Sequence, residues 1–356
     1  MVVFNRSTLA IAQKSPLDSY SKLGQLSESL SEGALICTAC GHRCKLRLGQ
    51  RGICKVRFNE DGNLMVPFNY VAGVQNDPIE KKPFFHVMPS SKAFSFGMLG
   101  CDFSCAYCQN WFTSQSIRDD KASQTVSVVT PIQLCDMAEQ GGAKTLVSTY
   151  NEPLITSEWA VEVFREAKSR GLFTAYVSNG HGTPEVLKYI KPWVDFYKVD
   201  LKCFDEKKYR RLGGNLLEVL ESVRQIHAMG FWLEIVTLLI PGYNDSEKEI
   251  KSIAEFIASI STDIPWHVTG FHPDYKMTDR QATSPDMLLF ARQLGISVGL
   301  KFVYSGNRTV RAEGSENTYC ISCGELLIER YGFRVLNNRL KHGSCHLCGT
   351  SIPGVW

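Results

Sequence analysis

The chain lacks any uninterrupted apolar run of the roughly eighteen residues that a membrane span requires. Its opening stretch, MVVFNRSTLAIAQKSP, also lacks a basic segment followed by a long apolar one, so neither a span nor a secretory leader is read, and a cytoplasmic protein is expected. Charge of one sign is scarce: 39 Lys and Arg against 36 Asp and Glu leave a net of +3, and without a long basic run a nucleic-acid partner is not indicated. There is no repeat of fixed period and no low-complexity tract, which argues against solenoid and fibrous classes. The first thirty residues are polar and carry no strand or helix period, so poor order is expected there. What remains is 356 residues, 44% hydrophobic and 21% charged, an ordinary globular composition with room for one large domain and one or two small ones.

Cysteine is where the chain departs from the ordinary. Eleven of the 13 fall into three tight groups, Cys37/Cys40/Cys44/Cys54, Cys101/Cys105/Cys108 and Cys320/Cys323/Cys345/Cys348. That distribution suits metal ligands in a reducing compartment better than a disulfide framework. Cys135 and Cys203 are left over and read as buried core thiols.

The middle group, C-x3-C-x2-C, directly follows a strand-like apolar run. Three thiols that close together can hold one iron–sulfur cube and leave its fourth iron without a protein ligand, open to a small molecule that is to be reduced. From residue 92 onward strand-like runs at 93–99, 145–149, 173–178, 196–201, 233–240 and 266–271 alternate with amphipathic segments at 131–139, 157–170, 184–190, 216–229 and 246–261. Alternation of this kind predicts an α/β fold of parallel strands with right-handed crossovers, here an open, partial (β/α)6 barrel of TIM type. Function then collects at the C-terminal ends of the strands. The expected division is an N-terminal extension with a four-cysteine cluster over 1–90, the core over 91–308, and a small C-terminal module over 309–356.

That last module reads as paired C-x2-C-G turns around a hairpin, LLIERY and FRVLNN about Gly332. The pattern resembles a zinc ribbon in which Cys320, Cys323, Cys345 and Cys348 close a tetrahedron, and so small a core needs a metal to fold well. The spacing of Cys37, Cys40, Cys44 and Cys54 suits zinc and a second [4Fe-4S] cluster equally. His42 and His86 lie nearby, His42 as a ligand or as a polar loop residue. The charges of the 77–83 segment read as a solvated face.

With Tyr107 before its last cysteine, the triplet resembles the radical S-adenosylmethionine (SAM) superfamily. The resemblance implies that Cys101, Cys105 and Cys108 hold a [4Fe-4S] cluster whose open iron chelates SAM, and that one electron from a low-potential donor such as flavodoxin or ferredoxin splits SAM to a 5′-deoxyadenosyl radical. Further motifs are similar to those of pyruvate formate-lyase activating enzymes. The resemblance places Asn110 and the TYNEP turn at SAM, although Tyr150 and Asn151 stand where that family carries glycines before Glu152. It does the same for Asn179 in SNG, for Asp200 and Lys202 in DLK, and for His272 in GFHP, with Lys202 and His272 facing the SAM carboxylate. Those enzymes carry an aspartate at the position of Val177 that helps hold a monovalent cation. Here Lys198 lies two residues before Asp200, on the same strand face, and its ammonium is expected to replace that cation. Tyr150, Tyr275, Cys203 and Tyr304 are candidates for a hydrogen-atom donor, or else packing residues.

Taken together, CTACGHRCKLRLGQRGICKVR, DPIEKKPFFH, GCDFSCAYCQNW, TYNEP, FHPDYKM and the terminal cysteine pairs resemble the radical SAM proteins of the AmmeMemoRadiSam system. That resemblance implies Memo-like and AMMECR-like companion proteins but assigns no substrate, whether small molecule or protein. Two other readings stand beside it: a glycyl-radical-enzyme activating enzyme acting on a protein backbone, and a non-catalytic zinc-ribbon module binding RNA or protein.

Overall fold

The computed structural model describes residues 15–122, 124–307 and 314–356. The opening residues and the expected boundary at 308/309 lie outside these. Eight strands form one sheet whose spatial order is the chain order: β1 (Gly73–Pro78), β2 (Lys92–Gly97), β3 (Ala143–Ser148), β4 (Phe173–Ser178), β5 (Phe196–Asp200), β6 (Trp232–Leu239), β7 (Trp266–Gly270) and β8 (Val303–Gly306). β1 runs antiparallel to β2, and every later neighbour is parallel. From β2 to β7 the strands are buried along most of their length, as expected of parallel strands covered on both faces.

The crossover helices start where the sequence supplies a cap. Thr130, Thr183, Asn215, Ser246 and Ser284 each accept a backbone N–H three residues on, satisfying one of the donors a helix N-terminus leaves free. The registers Ser148 to Phe96, Ser148 to Tyr176, Ser178 to Val199 and Asp200 to Val236 bring the C-terminal strand ends into a row. That row carries the loop of Cys101, the TYNEP turn, Asn179, Lys202 and His272.

The structure corrects four expectations. Seven strands are parallel, not six, because Val303–Gly306 adds one at the far edge; four residues, VYSG, are too short to show a period. β1 was not expected at all, since GVQNDP is polar and ends in proline, the look of an edge strand. Within the first thirty residues, Ser21–Leu23 and Ser27–Ser29 are strands that pair with Asn63–Pro67 and Leu35–Cys37; long-range pairing orders them without any local period. Finally, the charges of 77–83 are not all solvated: Glu80 is 0% and Lys82 5% exposed, with Glu80 accepting from Ser90 N at 2.9 Å and Lys82 donating to Asp77 at 3.1 Å.

The C-terminal hairpin, Leu326–Tyr331 with Arg334–Asn338, turns at Gly332 as expected. It packs beside the N-terminal ends of the core strands through a buried polar network. Glu234 on β6 accepts from the backbone N–H groups of Phe85 and His86, each at 3.0 Å, and from His267 at 2.7 Å. His86 in turn meets the Pro353 carbonyl and the Tyr304 hydroxyl, both at 2.6 Å, while Arg330 donates to the Phe85 carbonyl at 2.7 Å. No helix among the described residues is long and apolar enough to cross a membrane.

Candidate functional site

The loop that carries the triplet leaves β2 through Gly97 and Gly100. Gly100 has φ +93°, a left-handed conformation that glycine adopts without strain. At Gly97 a β-carbon would stand 2.6 Å from the Thr149 carbonyl and 2.9 Å from Tyr150 Cβ, so only glycine lets the TYNEP turn approach. Donors reach two of the sulfurs: Phe103 N lies 3.3 Å from Cys101 Sγ and Ser114 Oγ 3.1 Å from Cys108 Sγ. Burial pushes the Cys105 thiol up to about 12, against the pull of the neighbouring Lys202 ammonium. Thiols bind metal only after losing that proton, and Lys202 is the cation placed to favour the thiolate.

Across the strand ends lies a compact charged set. Lys198 and Asp200 project from one face of β5; the Lys198 ammonium contacts one Asp200 oxygen, and Lys202 Nζ lies 3.0 Å from the other. Burial alone would raise the Asp200 pKa, but the two ammonium groups hold it down at about 2. Burial also lowers Lys198, with Asp200 opposing. His272 is exposed after β7, its Nδ1 3.1 Å from Gln109 Nε2. The loop it begins is pinned over the cysteine loop by Lys276 N donating to the Ala106 carbonyl at 2.9 Å and by Tyr275 stacking on Trp111 at 5.1 Å. Asn110 is exposed and caps the short helix Trp111–Ser114 without a side-chain bond. Tyr107 points the other way: it is 3% exposed, packs on Tyr243 at 5.9 Å, and its buried hydroxyl has no partner among the described residues.

Other expected site residues are taken up by the protein itself. Asn151 accepts from Met98 N at 3.0 Å and donates to the Glu152 carbonyl at 3.2 Å, tying two strand ends together. Glu152 accepts from Ser178 Oγ and Asn179 N, both at 2.7 Å; burial, and then the Asp102 carboxylate, push its pKa upward. Asn179 donates to Asp102 Oδ1 at 2.7 Å and accepts from His181 N at 2.9 Å. Tyr150 sits at φ +70°, and Lys82 Nζ donates to its hydroxyl at 2.9 Å. Of the remaining hydrogen-donor candidates, Tyr304 is locked between His86 and Thr318, Tyr275 donates to Asp119 at 2.7 Å, and Cys203 is fully buried. Cys135 is likewise fully buried.

The residue that joins these groups, Asp102, was missed by sequence reasoning. It is 1% exposed, lies between Cys101 and the N-terminal cysteines, and accepts from Asn179 and His181, the latter at 2.9 Å. His42 Nε2 lies 3.2 Å from its carbonyl. The only sequence signal was an acidic residue immediately after the first cysteine of the triplet. His181, in SNGHG, and the buried pair of Arg57 with Glu158 were also missed.

A family model described as the radical SAM superfamily matches residues 97–257. An uncharacterized protein of Methanocaldococcus jannaschii is 35% identical over 332 residues, covering 92% of this chain and 98% of that protein. The isethionate sulfite-lyase activating enzyme of Oleidesulfovibrio alaskensis is 28% identical over 198 residues, covering 53% of this chain and 63% of the enzyme. The pyruvate formate-lyase-activating enzyme of Staphylococcus aureus is 25% identical over 188 residues, covering 49% and 74%. The family match spans the loop that carries the triplet and β5 with its charged set, and the family implies a [4Fe-4S] cluster and SAM. The chain carries a radical SAM domain over residues 97–257 and is an enzyme related to the pyruvate formate-lyase activating enzymes.

Proposed function

We propose that the chain is the radical SAM enzyme of an AmmeMemoRadiSam-type system, in which Cys101, Cys105 and Cys108 hold the cluster and the strand ends hold SAM. The donor set fits: three cysteines on one loop, with N–H and O–H donors at two sulfurs and a half-buried ammonium, Lys202, beside the third. Bound there, a [4Fe-4S] cluster and SAM supply one-electron cleavage of the sulfonium to methionine and a 5′-deoxyadenosyl radical, which abstracts hydrogen from the substrate. Lys202 and His272 receive the SAM carboxylate, Asn110 presents a free amide, and Lys198 neutralises Asp200 in place of a metal cation. Asn151, Glu152 and Asn179 act as positioning residues, holding the TYNEP turn and Asp102 in register. The sheet is read as a partial barrel and the closed C-terminal cysteines as a zinc-ribbon-like site.

The observation that carries this reading is the triplet facing the Lys198–Asp200–Lys202 set across the strand ends. The test is anaerobic reconstitution with iron and sulfide, reduction with dithionite, and quantification of 5′-deoxyadenosine from SAM. Product from the native chain and none from Cys105→Ala supports it; a loaded cluster that leaves SAM intact, with or without Memo-like and AMMECR-like proteins, overturns it. The similarity to two activating enzymes favours a second reading, activation of a glycyl-radical enzyme, and a stable glycyl radical trapped in a partner protein would establish that one instead.

A further inference from the structure

Three cysteine groups in one chain can be compared by how far apart their sulfurs stand. In the C-terminal group all four lie within 4.8 Å of one another, with Cys320 and Cys348 at 3.6 Å and Cys323 and Cys345 at 3.7 Å. Those are edges of a tetrahedron around one ion, since Zn–S bonds near 2.3 Å put the sulfurs about 3.8 Å apart. Among the described residues, no three sulfurs of Cys37, Cys40, Cys44 and Cys54 come within 4.8 Å of one another, and the same holds for Cys101, Cys105 and Cys108. The N-terminal four therefore share the open spacing of the triplet, not the closed spacing of the C-terminal four.

Gly52 lies against two of these sulfurs: a β-carbon there would stand in van der Waals contact, 3.6 Å from Cys44 Sγ and 3.7 Å from Cys54 Sγ. Donors converge on the sulfurs, Ile53 N at 3.4 Å from Cys44 Sγ and Arg57 Nε at 3.2 Å from Cys37 Sγ, the kind of hydrogen bond that tunes iron–sulfur potentials. The module is also docked against the radical site. Gly41 N donates to the His181 carbonyl at 2.8 Å, and Thr183 Oγ1 donates to the Thr38 carbonyl. Cys40 lies within 4.8 Å of both Asp102 and His181, and Asp102 Oδ1 is 3.7 Å from Cys101 Sγ.

We propose that Cys37, Cys40, Cys44 and Cys54 hold a second iron–sulfur cluster, which passes one electron to the cluster at Cys101 across the Cys40–Asp102–Cys101 contact. An external carrier of the flavodoxin or ferredoxin class gives up one electron. The N-terminal cluster takes it and is reoxidised as the cluster at Cys101, Cys105 and Cys108 is reduced. The relay rests on the radical SAM reading above, whereas the metal assignment stands on the sulfur geometry alone.

The test is iron and sulfide content, zinc content and electron paramagnetic resonance of reconstituted, reduced full-length protein. About eight irons are expected in the native chain and about four in each of Cys105→Ala and Cys44→Ser, if both sites hold four-iron cubes. The reduced native spectrum should be broadened by coupling between two paramagnets, and each variant should show a single uncoupled signal. Cys105→Ala leaves the N-terminal module untouched, so iron retained there decides the metal even if Cys44→Ser fails to fold. Zinc at the N-terminal site, with four irons that Cys105→Ala abolishes, would overturn the proposal and leave the radical reading intact. Four irons kept by Cys105→Ala and lost only from Cys44→Ser would keep the N-terminal metal assignment and overturn the radical reading, and the relay with it. Two clusters with no magnetic coupling would overturn the relay.

Discussion

Arg57 is 1% exposed; its guanidinium grips both oxygens of Glu158 at 2.7 and 2.8 Å and its Nε reaches Cys37. Removing one member of such a pair strands the other charge in the interior. Arg57→Leu should cost about 3–5 kcal/mol, read as a shift in urea midpoint, and Arg57→Leu with Glu158→Leu should recover much of it. Equal loss in the single and double variants would show that packing, not charge, is what matters there. Lys198 yields a prediction of the other kind. Its ammonium already neutralises Asp200, so SAM cleavage should be indifferent to potassium in the native chain and become potassium-dependent in Lys198→Met. Potassium dependence in the native enzyme would refute this. Cysteine spacing and the Asp200-Leu-Lys202 motif were legible as single residues in the sequence. Asp102, His181 and Arg57 were not, because their meaning comes from partners 60 to 101 residues distant.

At the scale of elements, His86 shows how a short segment fastens the C-terminal module to the sheet. Its Nδ1–H donates to the Pro353 carbonyl, which leaves Nε2 to accept from the Tyr304 hydroxyl. The ring is therefore neutral, and burial lowers its pKa to about 4 from an ordinary value of 6.5. As pH falls, the unfolded chain takes up a proton near 6.5 while the folded chain resists until about 4, so the contribution is intact above 6.5, shrinks between these values, and is lost below them. The loss approaches about 3 kcal/mol. Denaturant midpoints of the native chain should therefore fall more between pH 7 and pH 4.5 than those of His86→Gln, whose side chain does not titrate. Parallel profiles would show that His86 is not the responsible group. Most elements were foreseeable because buried parallel strands and capped helices announce themselves locally. Val303–Gly306 and Gly73–Pro78 did not, being a strand of four residues and a polar edge strand.

The whole molecule is more interlocked than its three cysteine groups suggest. A cut at 90/91, the boundary expected from sequence, would separate β1 from β2, whose antiparallel pairing runs from Gly73 with Gly97 to Pro78 with Lys92. It would also remove Phe85 and His86, whose N–H groups satisfy the buried Glu234 carboxylate, and would strip the Arg57 partner from Glu158. An exposed sheet edge beside a buried Glu158 stripped of its counter-charge, and a buried Glu234 left with His267 and Trp232 but without two of its backbone donors, is a recipe for association, not for a free-standing core. A chain beginning at residue 91 should therefore be insoluble or elute as a large aggregate on size exclusion, even with all three radical-site cysteines present. A soluble monomer of that truncated chain, able to load iron at Cys101, Cys105 and Cys108, would instead make the N-terminal segment a separable accessory. Under the interlocked architecture, loss of the N-terminal cysteine loop must disturb the radical site as well, because Asp102 stands between them and borrows its partners from the loop after β4 on which that cysteine loop rests.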